Sequence, residues 1–275
     1  MKDNPNEFYI GWQAVAPDGI SHLVRQFILA ISILIPVVGY VLVVNQIGFS
    51  ESAFEYGQVT EVEGTMTKTP APFLQVLGGK DWKGESIYQN ILLVAPGKHG
   101  VTEMLGALEK KLGHSVQGRM VKLKGYLIYY DGKTLMEVED MSDITDQGAA
   151  TVSLVEPLPY GQGSVIGEIT DPKCFFGVMK PGYGKPHRSC AARCISGGIP
   201  PVLKTTSAEG GIYYYLVTGE DGEPINAEVL PFVGDQVAIC GQIKKVGDWL
   251  VLYKDSEKEM VLMSDGLAEG MTMCK

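Results

Sequence analysis

Hydrophobic and polar positions divide the chain into two regimes. From Phe27 to Val44, FILAISILIPVVGYVLVV, no charge interrupts the apolar run. That run reaches the threshold of about 18 residues for a transmembrane helix. Ser21–Gln26 supply a first turn and Asn45-Gln46 an exit, so the predicted span is 21–46. Pro36 and Gly39 sit mid-run, where lipid-spanning helices tolerate them. The competing reading is a cleaved signal peptide. Its apolar core is normally about 7–15 residues and ends at a small-residue site. The exit here reads VVNQIGFS, so the pattern predicts a retained anchor.

From Gly57 onward the pattern shortens towards alternation. Strands are predicted at 58–66, 88–94, 121–128 and 134–138, with a hairpin turn at Asp131-Gly132. Met104, Leu105, Leu108 and Leu112 fall at helical spacing, which predicts a helix over 102–112. The second half repeats the scheme, with strands at 164–169, 212–218, 237–245 and 249–253. VKLKGYLIYYDGKTLMEV and VAICGQIKKVGDWLVLYK share a strand, a glycine at its fifth position, a turn and a returning strand. Gly125 thus corresponds to Gly241. Two copies predict two small β domains, 57–143 and 164–263. Pro157 and Pro159 mark a linker over 144–163, and 264–275 reads as a tail. The helical counterpart in the second copy, 227–232, reads as at most a turn.

Composition and charge narrow the partners. Hydrophobic residues make up 45% and charged residues 20% of the 275, so the chain is not disordered. The net charge of −9 argues against nucleic-acid binding, which needs a surplus of Lys and Arg. Arg25 precedes the span, whereas Glu51, Glu55, Glu61 and Glu63 follow it before the first Lys at Lys68. The positive-inside rule then places residues 1–20 in the cytoplasm and everything after the span outside. The expected location is a bacterial inner (cytoplasmic) membrane, crossed once, with the C-terminal domains in the periplasm or outside.

A strand of apolar-x-apolar-x-Gly form with a preceding helix resembles an oligonucleotide/oligosaccharide-binding (OB) barrel. The expected fold is therefore mainly β, one transmembrane helix followed by two OB-like barrels. One anchor followed by such a barrel is similar to the periplasmic haem chaperones of cytochrome maturation. Their haem-binding His with a nearby Tyr has no match near the C-terminus here. The opening NEFYIGW also resembles bacterial single-span proteins that begin with an FYxGY-like segment. That resemblance implies work beside membrane-linked oxidoreductases.

The chemistry concentrates in 171–201, DPKCFFGVMKPGYGKPHRSCAARCISGGIPP, which carries three of the five cysteines. It is expected as a loop between two strands of the second copy. Its counterpart in the first copy, TKTPAPFLQVLGGKDWKGES, has no Cys or His. Cys174, His187, Cys190 and Cys194 are the candidate ligands, with Met179 and Lys185 between them. Thiolates with imidazole suit zinc, and an added thioether suits copper. The same cysteines could instead be disulfide staples, or a redox pair whose thiols Lys185 and Arg188 activate. The Cys-x3-Cys with His and Met nearby resembles the copper ligands of cytochrome oxidase's binuclear site and of copper-delivery proteins. The order differs, since there the His does not sit three residues before the first Cys.

Other candidates are weaker. Cys240 reads as a small side chain in a strand and Cys274 as a tail thiol. Gly97–Gly100 lacks the phosphate-loop pattern and reads as a turn, although its N–H groups could meet an anion. No nucleophile elbow or Ser/His/Asp order stands out. The expected function is a non-enzymatic accessory or assembly subunit of an envelope redox system, with a protein partner in the membrane. The alternative is an interaction scaffold stapled by disulfides.

Overall fold

The computed structural model describes residues 18–44, 52–150, 152–207 and 210–263. Most of the predicted N-terminal segment, the tail and Cys274 lie outside these residues. The chain forms two compact units, Met1–Ser50 and Glu51–Lys275. In the first, helix α1 runs Asp18–Val44, 27 residues with Pro36 inside. At about 1.5 Å per residue it is long enough to cross a bilayer, and its apolar side chains are exposed along the span.

The second unit holds two barrels. In the first, β1 (Ser52–Phe54), β2 (Thr60–Thr67), β3 (Phe73–Lys80) and β4 (Ser86–Val94) precede helix α2 (Thr102–Leu112). Strands β5 (Arg119–Tyr130), β6 (Lys133–Glu137) and β7 (Ile144–Ala149) follow. The ring closes in the order β2-β3-β4-β6-β5-β2, with β4 and β6 parallel at Leu92↔Leu135. Asp131 (φ 49°) and Gly132 (φ 70°) both take the left-handed conformation that a tight type I′ hairpin needs. Helix α2 ends at Gly113, φ 77°, whose N–H donates to the Glu109 carbonyl.

The second barrel repeats this order. Its strands are β8 (Leu158–Thr170), β9 (Val202–Thr206) and β10 (Ile212–Thr218). A short helix α4 (Asn226–Val229) leads to β11 (Gln236–Val246), β12 (Trp249–Lys254) and β13 (Val261–Leu262). The ring is β8-β9-β10-β12-β11-β8, and again the closing pair, β10 with β12, is parallel. Both rings have the strand order of an OB barrel. The matched glycines do the same work in each. A Cβ on Gly125 would collide with the Glu137 carbonyl, and one on Gly241 with the Tyr253 carbonyl. Each glycine thus lets the long fourth strand of its barrel approach the fifth.

Among the described residues, three apolar clusters hold the unit together. One fills the first barrel beneath Leu105 and Leu108 of α2. One fills the second barrel. The third lies between the barrels and joins Phe73, Leu92 and Ile128 of the first to Phe176, Tyr214 and Trp249 of the second. There Phe176 stacks on Trp249 with ring centres 5.6 Å apart. The Trp249 indole N–H donates to the Asn90 carbonyl at 2.7 Å, satisfying its one polar atom.

Several expectations change. The segment read as a linker, 144–163, contains β7, which pairs with β5, and the start of β8. The stretch of the first copy matched to the cysteine loop contains β3, so the true counterpart is the short connection 68–72. Strand β9 also went unread.

Candidate metal and thiol site

The long connection between β8 and β9 is folded and mostly helical. It turns once at Cys174–Val178 and again at Lys185–His187, then enters helix α3 (Arg188–Ser196). Two neighbouring stripes on α3 face different cores. Ala191 and Ile195, one turn apart, pack inside the second barrel. Cys190 and Cys194, also one turn apart, pack against the cluster between the barrels. The i, i+4 spacing therefore presents two thiols on one face while its neighbour anchors the helix.

The insert is clamped to the first barrel. Lys173, 2% exposed, donates to the carbonyls of Ala95 at 2.8 Å and Gly97 at 2.9 Å and pairs with buried Glu137. The Gly100 N–H donates to the Gly197 carbonyl at 2.9 Å. An ammonium this deep is tolerable only because it is paired and hydrogen-bonded.

The candidate ligands fall into two overlapping groups that share Cys174. Cys174, His187 and Cys190 bring their ligand atoms within 4.8 Å of one another, as do Asp171, Cys174 and Cys194. The sulfurs of Cys174 and Cys190 are 3.9 Å apart. Cys174, Cys190 and Cys194 all carry free thiols, so the expected staple is not formed among them. His187 is 2% exposed, and its Nε2 lies 3.0 Å from Oδ2 of the fully buried Asp171. The other Asp171 oxygen accepts from the Cys174 N–H at 2.9 Å. Asp171 thus fixes both the ring and the backbone beside the first thiol, leaving Nδ1 as the free ring nitrogen.

The thiols share their protons unequally. The Cys174 thiol is pushed up, chiefly by its hydrogen bond to Cys194 and then by burial and the Asp171 carboxylate. The same hydrogen bond lowers the Cys194 thiol, helped by the charge of Lys98. Cys194 is therefore the thiol that ionises first of that pair. Lys98, from the first barrel, donates to the Cys190 sulfur at 3.1 Å, and this bond raises the Lys98 ammonium.

Lys185 and Arg188 do not serve the thiols. Both pair with Asp235, Arg188 at 3.0 Å. Met179 is 43% exposed. The turn at Gly97–Gly100 is no anion cradle, because the Gly97 carbonyl and the Gly100 N–H are used in the clamp. Cys240, expected as a plain small side chain, is buried in β11 and disulfide-bonded. Sequence reading missed Asp171, Lys173 and Lys98. Asp171 opens the motif and was legible as a carboxylate sixteen positions before the His. Lys98 lies 92 positions from Cys190 and carried no such signal. Neither a protein-family model nor a curated protein matches the chain.

Proposed function

We propose that the chain is a membrane-anchored accessory protein that holds one thiophilic metal ion at Cys174, His187, Cys190 and Cys194. The observation that carries this reading is a buried imidazole, oriented by a buried carboxylate, beside free thiols. Metal-binding histidines characteristically give their second ring nitrogen to such a carboxylate. Three thiolates and an imidazole are the donor set of a closed tetrahedral zinc site and also suit copper(I). Three thiolates and the Asp171 carboxylate around a divalent ion leave two negative charges, and Lys98 is placed to offset one of them. That balance favours zinc over copper(I).

The setting extends the reading. The charge asymmetry around α1 supports an N-terminus in the cytoplasm and barrels outside. A membrane-bound metal or thiol site, with no catalytic constellation among the described residues, fits an assembly or accessory subunit beside a membrane redox partner. The scaffold alternative puts staples in the insert, where all three thiols are free, although Cys240 elsewhere is disulfide-bonded. The test is metal competition on the full chain, purified in mild detergent under reducing conditions. One zinc or copper(I) per chain should bind, and His187→Ala and Cys190→Ser should each weaken binding while the circular dichroism stays unchanged. Equal affinity in wild type and both variants would sink the assignment.

A further inference from the structure

The three thiols differ in access, and the difference assigns roles. Cys174 is 4% and Cys194 1% exposed, whereas Cys190 is only partly buried. Cys190 is also the thiol that takes the hydrogen bond of the exposed Lys98 ammonium. A cation donating to sulfur stabilises the charge of an attacking thiolate. Cys174 stands behind it, sulfur to sulfur at 3.9 Å.

We infer that, when metal-free, the site carries out thiol–disulfide exchange, with Cys190 attacking and Cys174 resolving. The substrate class is an accessible disulfide, R–S–S–R′. The Cys190 thiolate attacks one sulfur, forming a Cys190–S–S–R mixed disulfide and releasing R′–S⁻. Cys174 then attacks the Cys190 sulfur, forming the Cys174–Cys190 disulfide and releasing R–S⁻. Two electrons pass from the two cysteines to the substrate, and their two protons end on the released thiols. The two sulfurs must close from 3.9 Å to a bond of about 2.05 Å. Lys98 is a positioning residue here, supplied by the first barrel to a thiol of the second. The metal and the disulfide use the same sulfurs, so bound metal should block exchange. This inference rests on the site described above but not on its binding metal.

The probe is 5,5′-dithiobis(2-nitrobenzoate) added to the reduced, metal-stripped full chain in detergent, with products mapped by mass spectrometry. The wild type should yield the Cys174–Cys190 cross-link. Cys174→Ser should stop at a thionitrobenzoate adduct on Cys190, and Lys98→Met should slow the first step about tenfold without changing the products. Limited iodoacetamide labelling of the wild type, which needs no variant to fold, should modify Cys190 before Cys174 and Cys194. A first adduct on Cys194, a Cys190–Cys194 link, or no intramolecular link would overturn the inference. Metal content of the reduced protein, measured separately, keeps the two readings apart. Exchange that fails while metal binds leaves the metal reading standing, and the reverse outcome removes only that reading.

Discussion

At the scale of single residues, the site depends on Asp171. Its two oxygens serve His187 and the Cys174 N–H, so it holds two candidate ligands at once. Asp171→Asn keeps the size of the side chain but weakens its grip on the imidazole. Loss of such a partner typically costs about 10–100-fold in metal affinity. We expect that loss in a competition titration, with His187→Ala weaker still. Unchanged affinity in Asp171→Asn would mean that His187 is held by packing alone. The candidate ligands were legible because Cys and His are rare and here lie close in sequence. Their supports were not. Lys98 and Lys173 look like ordinary surface lysines until the fold brings distant segments to them, and Glu137 is an unremarked end of β6.

At the scale of elements, α3 joins site to scaffold. Ile195 fills the second barrel while Cys194, one position earlier, packs on the cluster between the barrels. Ile195→Ala should lower stability by about 2–5 kcal/mol in urea unfolding, the usual range for a buried Ile truncated to Ala. A cost near zero would show that α3 is not anchored through this stripe. Helix α2 is tied down electrostatically. Glu109 accepts from Lys68 at 2.8 Å and from Ser115 and Val116, and the Lys68 bond is the main cause of its depression to about 2. A depressed carboxylate contributes stability that is complete above its unfolded value and is lost as pH falls through the folded one. Stability should therefore fall between about pH 4.5 and pH 2, and Glu109→Gln should flatten that window while lowering stability at pH 7. A wild-type and variant difference that does not change across the window would contradict the assignment. The helix α2 was readable from Met104, Leu105, Leu108 and Leu112. Helix α3 was not, because RSCAARCIS is short and splits its apolar residues between two cores. Strand β3 was hidden for a related reason. Its buried half precedes an exposed half carrying Gly78-Gly79, so no alternation runs its length.

At the scale of the whole molecule, a repeated barrel provides the frame and the insert provides the chemistry. The repeat was visible through Gly125 and Gly241, whose close approach to a neighbouring carbonyl forbids any side chain. Which residues pack one barrel on the other was not visible, because Phe73, Phe176 and Trp249 also read as ordinary core residues. That packing carries Lys98 to the thiols and gives the insert its second wall. The central claim, a metal held by three thiolates and one imidazole, is tested most directly by X-ray absorption at the metal edge of the full chain. The expected spectrum shows one metal per chain with sulfur scatterers at about 2.3 Å and one nitrogen at about 2.0–2.1 Å, the nitrogen disappearing in His187→Ala. A shell of oxygen alone, or a reduced protein that retains no zinc or copper, would contradict it.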